Sequence, residues 1–300
     1  MKKLALLLTA LGLVSAAAYA APELTVTHVG QEIEIENVDH NGTDLDDVWL
    51  WNNVGLAYGD WTFGLTAGKE WDVNFEDHDK TDKGVKSGAS RLQIDVWNKV
   101  TDDLKLGFRY RGQNNYDRFY ARWDYNHGMF WSSGDVWYES KNGAYGTDWV
   151  KSEFFPLGLK YGAFKVGYFV NYEKMMGGAD VVNGKGDKTE YFEHQIRAYA
   201  TLYKGERLTL TTEGRFTISA DYDYEGKPVT AGKDGYRHYD DLGRTRIYLG
   251  ADYKVTENLN VYGKYGYEFR EWELEDNNTS KDDYTENAYQ NFVVGWKYTF

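Results

Sequence analysis

The residue types that most often bind metals or assist nucleophiles are sparse in this chain, which has six histidines and no cysteine. The histidines are His28, His40, His78, His127, His194 and His238. None of them falls in the spacing of a nucleophile or metal motif, and the lack of cysteine excludes thiolate chemistry and a disulfide scaffold. The sequence therefore predicts no catalytic residue, no metal site and no cofactor.

Two acidic segments could in principle bind a divalent cation. Residues 72–82 and 221–225 are rich in carboxylates, which Ca²⁺ and Mg²⁺ prefer as ligands. Neither segment has the spaced ligands and the glycine of an EF-hand loop. We therefore interpret both segments as solvated loops.

Charged residues instead recur at every second position of short segments. Between Leu104 and Arg111 the even positions are apolar, whereas Lys105, Arg109 and Arg111 occupy odd positions. The same alternation recurs in residues 164–171, 208–216 and 259–270, and alternate residues of a pleated strand lie on opposite faces. Because full charges are costly in a dry core, we expect the polar faces to line a water-filled space.

The residues expected to line that space follow from their position in the alternation. The basic candidates are Lys105, Arg109, Arg111, Arg122, Arg197, Arg215, Arg244, Arg246 and Arg270. The acidic candidates are Asp95, Glu193, Glu213, Asp252 and Glu268. Pairing of these charges between neighbouring strands would stiffen the wall and leave the axis open.

The connections between these segments alternate between short and long. The short ones are residues 59–60, 101–103, 126–128, 162–163, 204–206 and 255–258. The long ones are residues 37–46, 74–89, 113–117, 140–148, 174–188, 220–240 and 274–285. This asymmetry predicts an all-β fold, a transmembrane antiparallel up-and-down β-barrel of about 14 strands with short periplasmic turns and long extracellular loops. The alternation slips between Val26 and Ile33, which predicts a β-bulge near Gly30.

The first 20 residues have the pattern of a signal peptide. Lys2 and Lys3 precede an apolar run over residues 4–14, and small residues lead to Ala20. Residues 1–20 are therefore predicted to be removed on export through the periplasm, and residues 21–300 to form an outer-membrane barrel domain. Removing Lys2 and Lys3 leaves 32 basic and 47 acidic residues, a net charge of -15. This acidic balance excludes a nucleic-acid partner, which requires a concentrated basic face.

The composition supports a barrel. The chain has 26 Tyr, 11 Trp and 14 Phe, with 32 Gly, only 3 Pro and a mean hydropathy of -0.67. Disordered chains are poor in aromatic residues, and helical bundles do not tolerate this much glycine. Aromatic residues at the predicted strand ends are expected at the two headgroup levels: Tyr58, Trp61, Tyr161, Phe164, Tyr203 and Tyr253 near short turns, and Trp71, Trp137, Tyr172 and Trp272 near long loops.

The chain ends in a strand pattern whose last residue is aromatic. Residues 292–300 place Trp296, Tyr298 and Phe300 on one face. This run resembles the C-terminal strand that outer-membrane assembly machinery recognises. The expected partners are therefore that machinery, outer-membrane lipid and lipopolysaccharide.

The whole pattern resembles the OmpG-type monomeric outer-membrane porins. The likeness covers most of the predicted mature chain and is most specific in EIENV at residues 34–38, IRAY at residues 196–199 and VGWKYTF at residues 294–300. The resemblance implies a single-chain porin with a wide pore. Such a pore passes small hydrophilic solutes, namely mono- and oligosaccharides and ions, with little selectivity.

The resemblance also implies a possible gating pair. In that family two histidines on neighbouring strands help a long loop to close the pore at acidic pH. Here His238 matches one of them, whereas Glu275 occupies the second position. Two histidinium ions would repel, whereas His238 and Glu275 would attract. Two other classes remain as alternatives: an outer-membrane barrel enzyme of the protease or lipase type, and an adhesin or receptor barrel.

Overall fold

The computed structural model describes residues 22–38, 45–74, 84–141, 147–176, 185–186, 188–224, 227–228, 237–274 and 285–300. The predicted signal peptide lies outside the described residues, as does Glu275. All regular secondary structure in the described ranges is β-strand. Those ranges contain no helix long and apolar enough to cross a membrane.

The chain forms long strands in sequence order. They are β1 (Thr25–Val38), β2 (Leu45–Tyr58), β3 (Trp61–Asn74), β4 (Gly84–Lys99), β5 (Leu104–Gln113), β6 (Tyr116–His127), β7 (Phe130–Lys141), β8 (Trp149–Tyr161), β9 (Phe164–Met175), β10 (Lys185–Gly186), β11 (Lys188–Lys204), β12 (Leu208–Tyr224), β13 (Lys227–Pro228), β14 (Arg237–Asp240), β15 (Arg244–Lys254), β16 (Leu259–Leu274) and β17 (Thr285–Thr299).

These strands close into a barrel. Each wall strand is hydrogen-bonded antiparallel to its neighbours in the chain, and β1 pairs with β17 from His28 opposite Thr299 to Val38 opposite Tyr289. The short strands β10 and β13 pair only with each other in this topology, and β14 occupies the same wall position as β15, between β12 and β16. The wall therefore has 14 strands, which confirms the predicted closed antiparallel up-and-down barrel.

The tight turns, the first described residue, Pro22, and the last residue, Phe300, lie at one end of the barrel. Three of these turns contain glycine in the left-handed region, with φ of 55° at Gly59, 57° at Gly128 and 57° at Gly162. Such turns match the right-handed twist of the strands that they connect. At the opposite end most connections are long, as predicted.

One connection at the long-loop end differs from the prediction. Residues 113–117 were expected to form a long connection, but β5 continues to Gln113 and β6 begins at Tyr116. Gln113 and Tyr116 are directly opposed, so only two residues form the turn. Asn114 and Asn115 form the turn, Gln113 lies on the interior face of β5, and Asp117 accepts a hydrogen bond from Tyr110 on the convex face. Polar residues of two strand ends and of the turn therefore follow one another and have the composition of a loop.

The predicted bulge exists but lies elsewhere. The register of β1 against β2 shifts between Val26 and His28, whereas Gly30 pairs regularly with Asn53 and Lys297. Glycine is required at position 30 for a steric reason, because a Cβ there would lie 2.6 Å from the carbonyl oxygen of Trp296. The glycine therefore permits a close approach between strands rather than marking an extra residue.

The convex face of the barrel is apolar and exposed. Leu106, Phe108 and Leu249 are 47%, 49% and 56% exposed, and each belongs to the apolar half of an alternating strand. Large contiguous patches of exposed apolar side chains are rare on soluble monomers and mark a contact with a membrane or with another protein. The apolar half of each of these alternating strands therefore points away from the interior of the barrel.

Candidate functional site: the charged lumen

The opposite, concave face of the wall carries the charges, and we call the space that it encloses the lumen. Side chains on this face contact strands beyond their immediate neighbours. Arg122 of β6 reaches Asp95 of β4, and the hydroxyl of Tyr262 on β16 donates to Glu32 of β1 at 2.8 Å. Such contacts form because side chains converge inside a closed sheet and diverge outside it.

Two arginines and two aspartates on β4–β7 form one group of ion pairs. Asp95 lies 2.7 Å from Arg109 Nε and also contacts Arg122, whose Nε lies 2.6 Å from Asp135. Arg109 approaches Asp135 more loosely, at 3.8 Å. Each of the two carboxylates thus contacts both guanidinium groups. These ion pairs hold all four side chains against the wall.

Two further arginines nearby hydrogen-bond to amide groups. Arg111 Nε donates to the side-chain oxygen of Gln93 at 3.0 Å, and Arg91 Nε donates to that of Gln113 at 2.8 Å. The guanidinium of Arg91 also lies 4.5 Å from the ring centre of Trp49. These contacts orient the guanidinium groups without neutralising them.

Glu139 on β7 is the most enclosed acid of the wall. It is 0% exposed and contacts Arg118 from β6, Lys141 at 2.8 Å and Lys151 from β8 at 3.6 Å. A carboxylate without access to water requires such partners. Glu139 therefore connects β6, β7 and β8 near the long-loop end of the lumen.

Two more buried acids, Glu193 of β11 and Glu268 of β16, lie on the opposite part of the wall. Arg244 connects them, at 3.2 Å from Glu193 and 3.3 Å from Glu268. Glu268 also contacts Arg246 and Arg270. Glu193 is 3% exposed and Glu268 is 2% exposed, so both acids depend on these partners for stabilisation.

The remaining predicted lining residues lie on the same face. Glu213 is 2.6 Å from Arg215 and 3.2 Å from Lys264. Lys105 and Asp252 are exposed near the short-turn end of the barrel. Their positions in the alternation place both side chains on the lumen face of β5 and β15.

Arg197 is held differently from the other arginines of β11–β16. Its Nε donates to the side-chain oxygen of Gln195 at 2.7 Å, and its guanidinium lies 3.2 Å from the ring centre of Phe169. Lys165 lies nearby on β9, with its ammonium 3.6 Å from the ring centre of Trp131. These two cations are positioned mainly by aromatic rings.

Several lumen aromatics lie along the wall because the directly opposed residue is glycine. The pairs are Trp51 with Gly68, Trp97 with Gly107, Trp131 with Gly158, Tyr248 with Gly266 and Tyr262 with Gly295. A Cβ at each of these glycines would lie between 2.0 and 2.6 Å from the ring. The glycines therefore make room for rings that would otherwise stand out from the wall.

One aromatic residue was predicted at the wrong place. Trp137 was expected at the headgroup level, but it is 7% exposed and stacks on Tyr120 at 5.0 Å between ring centres. It shares its face with Asp135 and Glu139, so its alternation already indicated the lumen. By contrast, Trp61 and Tyr161 near the short turns are 44% and 84% exposed.

The sequence-based set omitted many charged residues of the lumen face. Among them are Glu32, Glu34, Glu36, Glu70, Arg91, Arg118, Asp135, Glu139, Lys141, Lys151, Glu153, Lys165, Glu173 and Lys264. The signal that could have found them was the same two-residue period, extended through the whole of each strand.

The histidine that resembles a gating residue lies in β14. The backbone register places His238 opposite Glu273, and Glu275 lies outside the described residues. The gating pair therefore stays a prediction.

At the base of the β7–β8 connection, the hydroxyl of Tyr138 and the backbone N–H of Lys141 donate to Asp148 and hold the pKa of its carboxyl below its usual value. Within the described part of the chain, no group of three or more histidine, aspartate or glutamate residues is arranged to hold a metal ion.

A closed barrel of 14 antiparallel strands, apolar outside and charged inside, has the architecture of outer-membrane β-barrels. No protein-family model matches the chain, and no curated protein matches it.

Three solved structures illustrate the likeness. The chain is similar to a bacterial polysaccharide outer membrane secretin, with 10% identity, coverage of 91% of this chain and 98% of that one, and a TM-score of 0.50. It is also similar to the outer membrane channel DcaP of Acinetobacter baumannii, with 10% identity, coverage of 96% and 100%, and a TM-score of 0.45. The outer-membrane expressed OmpT of Vibrio cholerae has 12% identity, coverage of 96% and 99%, and a TM-score of 0.45. At such identities the likeness concerns the barrel fold alone.

Proposed function

We propose that the protein is an outer-membrane porin that forms a water-filled channel for passive diffusion of small hydrophilic solutes. The observation that supports this most directly is the inverted distribution of side chains. Leu106 and Leu249 are exposed on the convex face, whereas Asp95, Arg122 and Glu268 lie on the concave face. This distribution suits a barrel with lipid outside and water inside.

The physical basis is the solvation of the backbone and of the charges. A closed barrel leaves no unpaired strand edge in the lipid, where an unsatisfied peptide group costs several kcal/mol. The lumen charges require water or ion-pair partners for the same reason. Lumen side chains with solvent access, such as Glu153, Lys105 and Asp252, need a hydrated space in front of them.

The location and partners follow from the same proposal. Residues 1–20 serve as a signal peptide, and the barrel resides in the cell outer membrane after assembly by the machinery that reads the strand ending in Phe300. The protein contacts lipid and lipopolysaccharide, binds no nucleic acid and performs no catalysis. The OmpG-type resemblance favours a monomer that passes sugars, oligosaccharides and ions.

The direct test is a conductance measurement. Protein without residues 1–20, refolded in detergent, is added to a planar lipid bilayer in KCl, and heat-unfolded protein serves as the control. We expect stable steps of large conductance from the folded protein only. Liposome swelling with sugars of increasing size then gives the size limit of the pore.

The alternative classes give different outcomes in the same experiment. A folded barrel that leaves the bilayer closed would contradict the porin proposal. Hydrolysis of a peptide or a lipid by that sample would then indicate an enzyme. Binding of a partner to the outer loops without conductance would indicate an adhesin or receptor.

A further inference from the structure

Three arginines of the lumen lie directly opposite one another on consecutive wall strands. Arg197 of β11 is in register with Arg215 of β12, and Arg215 is in register with Arg246 of β15. We call these three residues the arginine row. Like charges in directly opposed positions destabilise a sheet, so the row costs stability unless something offsets its charge.

The acids beside the row offset it only in part. Glu213 pairs with Arg215 at 2.6 Å, and Glu268 contacts Arg246. Glu268 is shared with two further arginines, so its charge is divided among three cations. In the part of the chain that the structure describes, Arg197 forms no ion pair with a carboxylate, and its Nε donates to the neutral side chain of Gln195.

Two recesses in the wall adjoin the row. One recess of about 490 Å³ is lined by Tyr199, Glu213, Tyr248 and Lys264. The hydroxyl-bearing Thr211 lines the same recess. The recess therefore combines a cation, aromatic rings and a hydroxyl group close to the central arginine of the row, whose guanidinium lies 5.0 Å from the ring centre of Tyr248.

The other recess, of about 400 Å³, contains Arg197 itself. It is also lined by Phe155, Phe169 and Lys165. Its acidic lining residues are Asp124, Asp135 and Glu153, and Asp135 is paired with Arg122. Lys165 lines both recesses, so they adjoin at this residue. The row is thus bordered by cavities that offer cations together with flat apolar surfaces.

We infer that the arginine row binds hydrophilic solutes that carry two anionic groups while they pass through the lumen. This inference rests on the proposed porin function and specifies a class of solute for it. Guanidinium groups bind carboxylate and phosphate oxygens with charge-assisted hydrogen bonds, so either anion could occupy the row.

The spacing of the row favours two anionic groups over one. Directly opposed residues of antiparallel strands lie about 5 Å apart at Cα, so the three arginines extend over about 10 Å. A solute with two charges can contact the row at two places, and each contact favours the next by proximity. Linked acidic sugars fit this description well, because their rings can also pack on Phe169 or Tyr248.

The experiment measures block of single-channel current by defined anions. Folded protein in a planar bilayer is titrated with digalacturonate, succinate and pyrophosphate, which carry two anionic groups. The matching probes with one anionic group are galacturonate, acetate and inorganic phosphate. We expect at least one of the probes with two anionic groups to block the current at concentrations at least tenfold below those of the matching probe with one group. Preference for the carboxylates or for pyrophosphate then identifies which anion the row favours.

Two variants remove the same charge from different places in the lumen. Arg197→Gln removes a member of the row, whereas Lys105→Gln removes a cation near the short-turn end. We expect block by the probes with two anionic groups to weaken about tenfold in Arg197→Gln and less than twofold in Lys105→Gln. A general electrostatic effect of the lumen would instead weaken block equally in both variants and would contradict the inference.

Folding and function are checked in the same preparations. Each variant must retain its conductance steps in KCl and the heat-dependent electrophoretic mobility of a folded barrel. If Arg197→Gln does not fold, Arg215→Gln is used with the same expectation. A conducting wild-type channel that probes with one and with two anionic groups block equally, or not at all, overturns the inference but leaves the porin proposal intact. A folded protein that does not conduct contradicts the porin proposal itself.

Discussion

Glycine decides at the residue scale whether an aromatic ring can lie along the lumen wall. Trp131 is 2% exposed because it covers Gly158 on β8 and Gly167 on β9. A Cβ at Gly158 would lie 2.0 Å from Cε2 of the indole, which is far inside van der Waals contact. The ring could stay in place only if the backbone moved.

Gly158→Ala is therefore expected to destabilise the barrel. Overpacking of this kind costs about 2 kcal/mol, and the displaced Trp131 would also enter the lumen. The measurement is urea unfolding of the refolded protein in detergent, followed by tryptophan fluorescence. Gly263→Ala is the matched control, because its Cβ would meet nothing closer than the carbonyl oxygen of Val293 at 3.6 Å. Equal stability of the two variants would contradict the expected clash.

Glu139 shows what a single buried charge contributes. It is fully buried and surrounded by Arg118, Lys141 and Lys151. Glu139→Gln would leave three cations without their shared counterion, and the loss of one partner from a buried pair costs about 3 kcal/mol. We expect a corresponding fall in the free energy of unfolding, measured by urea titration.

The control for this prediction is a carboxylate without such surroundings. Glu257 lies exposed in the turn between β15 and β16. Glu257→Gln is expected to change the free energy of unfolding by less than about 0.5 kcal/mol, as is usual for surface substitutions. A similar loss in both variants would show that removal of any carboxylate has this effect and that the Glu139 contacts are not special.

At the element scale, the last strand closes the barrel and also ends in an exposed aromatic residue. The backbone N–H of Phe300 donates to the carbonyl oxygen of Thr27 at 3.2 Å, whereas the residue as a whole is 68% exposed. The ring makes one edge contact, with Tyr298 at 5.1 Å between ring centres, so it contributes little to the folded barrel. The backbone contact joins the last residue of the chain to β1.

Phe300→Ala separates assembly from stability. If assembly machinery recognises the terminal ring, the amount of folded protein in the outer membrane should fall several-fold in cells. Purified protein refolded in detergent should keep its stability within about 0.5 kcal/mol, because the exposed ring has few contacts to lose. Quantitative detection of the folded and unfolded electrophoretic bands measures the first effect. Unchanged assembly in cells would contradict recognition of Phe300.

The polar turn between β5 and β6 illustrates a limit of strand prediction from polarity. Asn114 and Asn115 alone connect the strands, although residues 113–117 together have the composition of a loop. Gln113 on the interior face of β5 and Asp117 on the convex face of β6 are polar residues that belong to strands and not to the turn. Composition therefore locates strand ends poorly wherever polar residues of the strands reach the rim.

At the scale of the whole molecule, the response of the proposed channel to acid depends on the signs of the charges at its gate. An unperturbed histidine has a pKa of about 6.5 and gains its positive charge between pH 7 and pH 5. The resemblance to the OmpG-type porins pairs His238 with Glu275 instead of with a second histidine. A histidinium and a carboxylate would attract, so the repulsion between two histidinium ions would not arise.

We therefore expect single-channel open probability to change little between pH 7 and pH 5. His238→Asn should behave like the original protein over this range, because no repulsive pair is removed. Glu275→His would introduce the second histidine and should produce acid-dependent closure. Closure of the original channel at pH 5 that disappears in His238→Asn would contradict this prediction.

The sequence by itself determined the class of fold and the side-chain distribution of the wall. A two-residue period, as in residues 104–111, fixes which side chains share a face without any knowledge of their neighbours. The alternation of tight and long connections then predicted the strand count. These properties are local, so they can be inferred from consecutive residues.

Only the tertiary structure decided which lumen charges meet. The alignment of Arg197 with Arg215 and Arg246 depends on the register of three strands, and that register depends on bulges such as the one between His194 and Gln195. A shift of one residue would move an entire face to the other side of the sheet. The sharing of Glu268 among three arginines likewise depends on register and on curvature, neither of which any single segment of the sequence encodes.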